Sequence, residues 1–321
     1  MRKPVPVIDL HCHSTASDSD RTPTQLVEHA KKLGLQTVAI TDHDTIDGVE
    51  EAMEAGKRLG VTVIPGIELS ADFPNGTMHI LGYHIDTENP VIKKDLAEKQ
   101  EYRAKRSLIM IDRLNGMADK NGKPIQITRE EVAEVASGTS ALGRPHIATV
   151  LMNKGHVGSV KEAFATLLSE KSPAYLPNMK MSPAECINLI HQAGGIAVLA
   201  HPYQTRLSGA ALDEKVGELA KLGLRGIETF YSLHSEEQTK EYEGLAAKYN
   251  LVKTGGSDWH GSIKPNIEMG SGVGDLFVPP SVLEDIERAL PSKPLAMPPA
   301  GISEPALGAS KSLPGAPSQS Y

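Results

Sequence analysis

The first 85 residues alternate between short apolar segments and amphipathic ones, and this rhythm limits the chain to few folds. The segments 5–10, 36–41, 61–65 and 79–85 are predicted strands. A helix begins at Thr22, an N-cap followed by proline, and ends at Gly34, and a second helix is predicted over 49–59. Strands separated by helices favour parallel pairing with right-handed crossovers, and therefore an α/β fold.

The rhythm changes to mostly helical between residues 89 and 177. A long charged helix is predicted over 91–120, and shorter ones near Thr128, Arg144 and Ser159. We interpret 89–177 as a helical insertion that either forms a lid or packs only for structure. The remaining predicted units are the two parts of one α/β domain, residues 1–88 and 178–290, and a Pro/Gly/Ser-rich tail, residues 291–321. The second part of the domain contains predicted strands at 195–200, 224–230 and 251–255 and a last helix at 279–290.

Charge and composition exclude several classes of function. A net charge of −7 argues against a long groove for duplex nucleic acid, which needs a basic stripe. No apolar run approaches the ~20 residues that span a bilayer. The segment 1–4 leads directly into a predicted strand, which leaves no room for a signal peptide, and Cys12 and Cys186 are too few for a disulfide framework. We therefore expect a cytoplasmic protein.

The sequence His11-Cys12-His13 stands where the first predicted strand ends. Residues two apart on a strand point to the same side, so both histidines can bind one ion. Alone, the pair is equally compatible with two polar loop residues. However, six of the twelve histidines fall at strand edges, together with nearby carboxylates: His11, His13, Asp42, His43, Asp44, Glu68, His79, His201, Asp258 and His260. Residues just past the carboxyl ends of parallel strands converge on one face, so a shared site is expected there.

The chemistry of these side chains indicates a metal centre. Nitrogen and oxygen ligands without cysteine suit Zn²⁺, Mn²⁺ or Fe²⁺. The candidates outnumber the roughly four to six ligands that one ion uses. Two or three ions bridged by a carboxylate would account for the surplus, and such a centre is typical of phosphate ester hydrolysis.

At these residues the sequence resembles the polymerase and histidinol phosphatase (PHP) family. The motifs that carry the resemblance are Asp9-Leu10-His11-Cys12-His13-Ser14, Ser17-Asp18, Thr41-Asp42-His43-Asp44, Gly66-Ile67-Glu68, His79-Ile80-Leu81-Gly82, Ala200-His201-Pro202 and Gly256-Ser257-Asp258-Trp259-His260. The resemblance implies a distorted (β/α)7 barrel and a trinuclear site. It assigns His11, His13, Glu68 and Asp258 to one ion, Glu68, His79 and His201 to a second, and Asp18, His43 and His260 to a third.

One ligand of the implied site is ambiguous. The family often has Ser-Asp-Gly where this chain has Ser17-Asp18-Ser19-Asp20. The spacing from His13 favours Asp18, and Asp20 is the alternative.

A closer resemblance leads to the stand-alone family members that act on nucleotides. Two segments carry it, Gly143-Arg144-Pro145-His146-Ile147-Ala148 and Glu228-Thr229-Phe230-Tyr231-Ser232-Leu233-His234-Ser235. An arginine guanidinium can donate two parallel N–H hydrogen bonds to the oxygens of one phosphate, so arginine is suited to the recognition of a second phosphate. We therefore interpret Arg144, His146, Arg206 and His234 as candidate substrate-binding residues, against surface or helix-capping roles.

The function that these features favour is removal of the 3′-phosphate from a 3′,5′-nucleoside bisphosphate, giving an AMP-like product and phosphate. Asp258, His260 and His201 are the candidate catalytic residues, with proton transfer assigned to Asp258 or His260. The closest alternative is a 5′-3′ exonuclease on short RNA or DNA, and an alternative of another class is a non-catalytic metal-binding module. A histidinol phosphatase is less favoured, because the Arg144 segment suits a nucleotide.

Overall fold

Seven strands form one sheet whose spatial order follows the chain within the residues that the structure describes. The structure is a computed structural model, and it describes residues 7–136, 142–177 and 179–291. The start of the predicted first strand and nearly all of the predicted tail therefore lie outside the described residues. The strands are β1 (Ile8–Cys12), β2 (Thr37–Ile40), β3 (Thr62–Ala71), β4 (Met78–Tyr83), β5 (Ile196–Leu199), β6 (Gly226–Tyr231) and β7 (Val252–Gly256).

Helices connect most of these strands. Over the described ranges they are α1 (Pro23–Leu33), α2 (Val49–Leu59), α3 (Pro90–Asn115), α4 (Arg129–Val135), α5 (Arg144–Asn153), α6 (Val160–Ala165), α7 (Pro183–Gln192), α8 (Gly209–Lys221), α9 (Glu236–Tyr249) and α10 (Ser281–Ala289). The predicted starts at Thr22, Thr128 and Ser159 are confirmed, because each of these side chains accepts a hydrogen bond from a backbone N–H of its first turn. None of the described helices is long and apolar enough to cross a membrane.

The expectation of parallel pairing is wrong for one strand. Strand β4 runs antiparallel to both β3 and β5, whereas the other pairs are parallel. The reason is the short connection 72–77, which contains no helix and can join only antiparallel strands. The reversal brings the start of β4, rather than its end, to the edge of the sheet where the parallel strands finish.

The third strand is longer than predicted. Pro65 and Gly66 are residue types that often end a strand, and the predicted strand covers only 61–65. In the structure β3 continues to Ala71 because it pairs with β4 from Gly66↔Tyr83 to Ala71↔Met78. Glu68 therefore lies within β3, not after it.

The two edges of the sheet meet, so the sheet is a nearly closed barrel. The backbone N–H of Asp258 donates to the carbonyl of His11 at 2.8 Å, and that of His13 donates to the carbonyl of Trp259 at 3.0 Å. Tyr83 spans the interior and donates its hydroxyl to the carbonyl of Leu10 at 2.9 Å. The predicted distorted (β/α)7 barrel is confirmed.

Helices α3 to α6 lie between β4 and β5 in the chain. Apolar side chains from α3, α4 and α5 bury one another in a cluster separate from the barrel core, with Met110, Leu114, Val132, Ile147 and Leu151 at its centre. The division of the chain into domains, and a lid formed by 89–177, stay predictions.

Closure of the barrel can be tested at Gly256. A methyl group there would lie 2.4 Å from the Cβ and the backbone nitrogen of His11, closer than atoms can approach. We expect Gly256→Ala to lower the free energy of unfolding by about 1–3 kcal/mol. As a control, Gly244→Ala in α9 meets no atom within 4 Å and should raise it by roughly 0.5–1 kcal/mol. Urea unfolding measures both, and an unchanged Gly256→Ala variant would contradict the closed seam.

Candidate metal centre

Glu68 is the centre of a group of imidazoles, and its side chain is fully buried. Its two oxygens face different partners. Oε2 lies 3.2 Å from Nε2 of both His11 and His13 and 3.1 Å from Nδ1 of His43. Oε1 lies 2.8 Å from Nδ1 of His79 and 2.9 Å from Nε2 of His201. His79 reaches the group from the start of β4, so the reversal of this strand contributes a partner to Glu68.

Asp258 forms a second carboxylate of the group. Its Oδ1 lies 3.3 Å from Nε2 of His13 and 3.7 Å from Nε2 of His11. The side chain therefore faces the same imidazoles as Oε2 of Glu68. A positive φ of 58° at Asp258 turns the chain just after β7, which sets the direction of this carboxylate.

Asp18 completes a third group at the mouth of the barrel. Its Oδ1 lies 3.2 Å from Nε2 of His260, and its Oδ2 lies 3.9 Å from Nε2 of His43. Asp20, the alternative, accepts hydrogen bonds from the backbone N–H and hydroxyl of Ser262 at 2.9 and 2.6 Å. The structure thus brings Asp18 to the histidines and holds Asp20 outside them.

The donor atoms form four overlapping sets, in each of which one atom per residue lies within 4.8 Å of the others. They are His13, Asp18, His43 and His260; His11, Glu68 and His201; His11, His13 and Asp258; and His43, Glu68 and His79. Among the described residues, Nδ1 of His13 and Nδ1 of His201 are buried and have no hydrogen-bond partner. Buried imidazole nitrogens that lack partners and converge with carboxylates fit divalent cations, so the residues present are suited to several ions.

Two buried carboxylates hold the imidazoles in place. Glu228 lies 2.9 Å from Nδ1 of His11 and accepts the backbone N–H of His201 at 2.7 Å. Asp9 accepts the N–H groups of His11, Ser257 and Gly270 at 3.2, 2.9 and 2.6 Å. Such outer partners fix the orientation and tautomer of metal-binding histidines.

Tyr231 and Lys264 fix the orientation of Asp258, and the sequence did not point to either. The hydroxyl of Tyr231 and the ammonium of Lys264 both donate to Oδ2 of Asp258, at 2.8 and 2.7 Å. Oδ1 is thereby left to face His13. Tyr231 lies within the segment 228–235, which contains the candidate substrate residue His234. No local feature of the sequence indicates which carboxylate Tyr231 contacts.

Arg103 is another neighbour of the site that the sequence did not identify. Its Nη2 donates to Oδ2 of Asp44 at 3.2 Å, and Asp44 directly follows His43. Helix α3 therefore passes close to the mouth of the barrel. The contact is between residues 59 apart in the chain, which explains why no local motif revealed it.

The predicted substrate residues of the 143–148 segment, Arg144 and His146, contact other residues of the 143–175 region. The guanidinium of Arg144 lies 5.4 Å from the ring centroids of both Phe164 and Tyr175. Nδ1 of His146 accepts the backbone N–H of Gly143 at 3.2 Å at the start of α5. Burial lowers the pKa of His146, so its imidazole is neutral at physiological pH. Their binding roles stay predictions.

The other two candidates differ from each other in burial. Arg206 is exposed and adopts a left-handed conformation with φ 60°. His234 packs among Tyr203, Tyr231 and Tyr242, and its Nε2 is buried without a hydrogen-bond partner. His234 thus touches the tyrosine that positions Asp258, and its role in substrate binding, like that of Arg206, stays a prediction.

The carboxylates and imidazoles shift one another's pKa values. Burial opposes protonation of His13, but Asp258 and Glu68 outweigh it and raise the pKa to about 9. Burial likewise opposes ionisation of Glu68, but His43, His79 and His11 hold its pKa well below the usual range. For His43 burial dominates and lowers the pKa to about 4, although Glu68 opposes the change. Without a cation, protons on some imidazoles therefore balance the buried carboxylates.

Divalent cations should release protons when they bind, because only a neutral imidazole donates a lone pair to a metal. At pH 7.5 His13 is protonated before binding, since its pKa is about 9. We expect at least one proton to be released per protein, and the affinity to fall by up to tenfold for each pH unit below 9 and each proton released. Calorimetric titration with Mn²⁺ in two buffers of different ionisation enthalpy measures this number. Heats that do not depend on the buffer at pH 7.5 would contradict the protonated cluster.

Comparison with known proteins agrees with this geometry. The PHP domain model matches residues 9–177. The 5′-3′ exoribonuclease Rnm of Escherichia coli is 34% identical over 266 residues, which cover 82% of this chain and 88% of the relative. A phosphoribosyl 1,2-cyclic phosphate 1,2-diphosphodiesterase of Eggerthella lenta is 33% identical over 258 residues, covering 79% and 94%. A 3′,5′-nucleoside bisphosphate phosphatase of Chromobacterium violaceum is 28% identical over 286 residues, covering 89% and 97%.

A solved structure extends the comparison to the fold. The protein is from Bifidobacterium adolescentis and is assigned as a metal-dependent phosphoesterase. It superposes with a TM-score of 0.72 at 34% identity, over 90% of this chain and 98% of that one. Together with the histidine and carboxylate cluster, these likenesses show that the chain belongs to the polymerase and histidinol phosphatase (PHP) family and is a metal-dependent phosphoesterase.

Proposed function

We propose that this phosphoesterase removes the 3′-phosphate from 3′,5′-nucleoside bisphosphates and leaves a nucleoside 5′-monophosphate. The observation that carries the proposal is the cation Arg144, whose guanidinium lies over two aromatic rings that belong to none of the ligand sets. Within the described residues it forms no ion pair with a carboxylate, so its N–H donors are available to an anion. A substrate with two phosphates offers one group to the cluster and one to Arg144. The bisphosphate phosphatase of Chromobacterium violaceum, which aligns over 97% of its length, supports this choice.

The cluster would act on the reacting phosphate. Bound divalent cations, for which Mn²⁺, Zn²⁺ and Fe²⁺ are the candidates, activate water and neutralise the phosphoryl and leaving oxygens. Glu68 would be shared, because Oε2 faces His11 and His13 while Oε1 faces His79 and His201. The remaining ligands would be Asp258 on the Oε2 side and Asp18, His43 and His260 at the mouth.

Proton transfer is assigned to the pair Asp258 and His260. Burial opposes ionisation of Asp258, but His11 and His13 hold its pKa well below the usual range, so it stays a carboxylate. Nδ1 of His260 lies 2.8 Å from the backbone carbonyl of Asp258, which selects the tautomer with the proton on Nδ1. Nε2 then faces Asp18 and the barrel mouth as an acceptor. His201 would act beside them by holding its side of Glu68.

A second candidate function is 5′-3′ exonuclease activity on short RNA or DNA. The observation that favours it is the 34% identity to the exoribonuclease of Escherichia coli, which is higher than the 28% identity to the bisphosphate phosphatase. The same cluster would serve both reactions. The two differ in whether the group beyond the reacting phosphate is one nucleoside or a chain, and turnover of matched mono- and oligonucleotides separates them. For either function we propose a cytoplasmic location.

Loss of a cluster residue should abolish turnover without unfolding the protein. We expect His201→Ala and Asp258→Ala each to lower kcat by at least about 100-fold and to reduce the bound metal, because residues at this end of a barrel serve function more than packing. Metal analysis, circular dichroism and steady-state rates provide the three readings. His84→Asn is the control, since His84 follows the far end of β4 and contacts Glu287 instead, and asparagine tolerates the positive φ of 56° at this position. Near-parental activity with full metal content would refute the assignment.

Loss of Arg144 should harm only substrates with two phosphates. A charge-assisted bidentate contact is worth roughly 2–4 kcal/mol, so Arg144→Ala should lower kcat/KM for adenosine 3′,5′-bisphosphate by about 30- to 1000-fold. Phenyl phosphate offers nothing to Arg144 and should be hydrolysed at nearly the parental rate. Equal losses on both substrates would mean that Arg144 supports the structure or the chemical step, and the bisphosphate proposal would lose its main support.

A further inference from the structure

Helix α3 carries a buried arginine, Arg106, close to the half-buried Arg144. Arg106 is only 4% exposed, and its Nε donates to the carbonyls of Leu176 and Pro177 at 2.6 and 3.1 Å. Its guanidinium lies 5.7 Å from the ring centroid of Tyr175, the ring that Arg144 also covers, at 5.4 Å. Nη2 of Arg106 is buried and has no hydrogen-bond partner. Two guanidinium groups thus share one aromatic ring, and one of them has a free buried donor.

No carboxylate among the described residues balances the charge of this pair. Burial, and then the charge of Arg144, lower the pKa of Arg106 by more than Tyr175 and Tyr102 raise it. Neither arginine forms an ion pair with any described carboxylate. Residues 137–141 and 178 adjoin these segments in the sequence and lie outside the described part of the chain. They contain no Asp or Glu. A buried cation without a counter-ion is strongly unfavourable, and a bound anion would relieve the cost.

A purely structural role does not account for the pair. Nε of Arg106 donates to the carbonyls of both Leu176 and Pro177, so these contacts do not use Nη2. Arg113, two turns further along α3, makes a similar contact from Nη1 to the carbonyl of Tyr175 at 2.8 Å, but it is exposed. Contacts of this kind therefore do not require a buried guanidinium or a second arginine on the same ring.

We propose that Arg106 and Arg144 together bind the non-reacting phosphate of the substrate as a terminal, dianionic group. The proposal rests on the proposed function and specifies its second phosphate. Two guanidinium forks supply two charges and several N–H donors, which match a phosphate monoester with three free oxygens better than an internal diester with one charge. The enzyme would then prefer a mononucleotide that ends in a free phosphate to the interior of an oligonucleotide.

The position of the pair is compatible with this role. Arg103 lies three residues before Arg106 on α3, so the two are neighbours one helical turn apart, roughly 5 Å along the axis. Arg103 contacts Asp44, which follows His43 of the cluster. The anion site thus lies next to the part of α3 that touches the mouth of the barrel.

The experiment compares Arg106→Lys, Arg106→Gln and Arg144→Lys with Arg113→Lys in the full metal-loaded chain. The readout is the ratio of kcat/KM for adenosine 3′,5′-bisphosphate to that for adenosine 3′-phosphate. We expect the ratio to fall at least 10-fold in each Arg106 variant and in Arg144→Lys, and to change less than 2-fold in Arg113→Lys. In the double variant Arg106→Lys/Arg144→Lys the ratio should fall by less than the product of the two single reductions, because both arginines bind one phosphate. A 5′-methyl ester of the bisphosphate should reproduce the loss in the parent.

A parental ratio in a folded Arg106 variant would overturn the proposal. If the parent itself does not distinguish the two substrates, the proposed function fails, and the anion site is then judged by calorimetric binding of inorganic phosphate. One phosphate fewer per chain in Arg106→Gln than in Arg113→Lys would support the site on its own, and equal stoichiometry would refute it. Circular dichroism of each variant checks the fold, and Arg106→Gln retains an N–H donor for the Leu176 carbonyl if Arg106→Lys is unstable.

Discussion

The structure is organised around one buried carboxylate that cannot exist alone. Glu68 is fully excluded from solvent, and an isolated carboxylate in such a place would be neutralised or expelled. It stays ionised because cations, whether protonated imidazoles or metals, surround both of its oxygens. The histidines that surround it come from several strands, so the strands must curve towards one point. The nearly closed barrel is therefore the arrangement that brings enough imidazoles to Glu68 to compensate for its burial.

The reversal of β4, which the short connection 72–77 imposes, helps to meet this requirement. In a wholly parallel barrel, inward ligands come from strand ends, and a residue at the start of a strand lies on the opposite face. His79 stands at the start of β4 and still contacts Glu68, because the strand runs antiparallel to its neighbours. The short hairpin connection 72–77 also lets β3 continue past Pro65, which carries Glu68 into the strand. The distortion of the barrel is what gives the central carboxylate His79 as a partner on the Oε1 side.

The sequence predicted what depends on local chemistry. Helix starts were found because Thr22 and Ser159 bond to their own first turns, and the ligand cluster was found because histidines recur where apolar strands finish. The direction of β4 was missed, since a strand's orientation is decided by its neighbours and not by its own residues. The contacts of Tyr231, Lys264 and Arg103 were missed for the same reason. Each of these side chains donates to a carboxylate elsewhere in the chain or across a turn, and the periodicity of the sequence does not indicate such a partner.

A chain with a net charge of −7 must bind phosphates through local concentrations of positive charge. At the barrel mouth Arg103 is already neutralised by Asp44, and Lys264 by Asp258, so these side chains position carboxylates instead of binding an anion. Arg106 and Arg144 differ because aromatic rings and backbone carbonyls surround them. The described structure thus separates two kinds of positive charge. One orients the carboxylates of the cluster. In the proposed function the other binds the second phosphate, so that reaction and recognition could be altered independently.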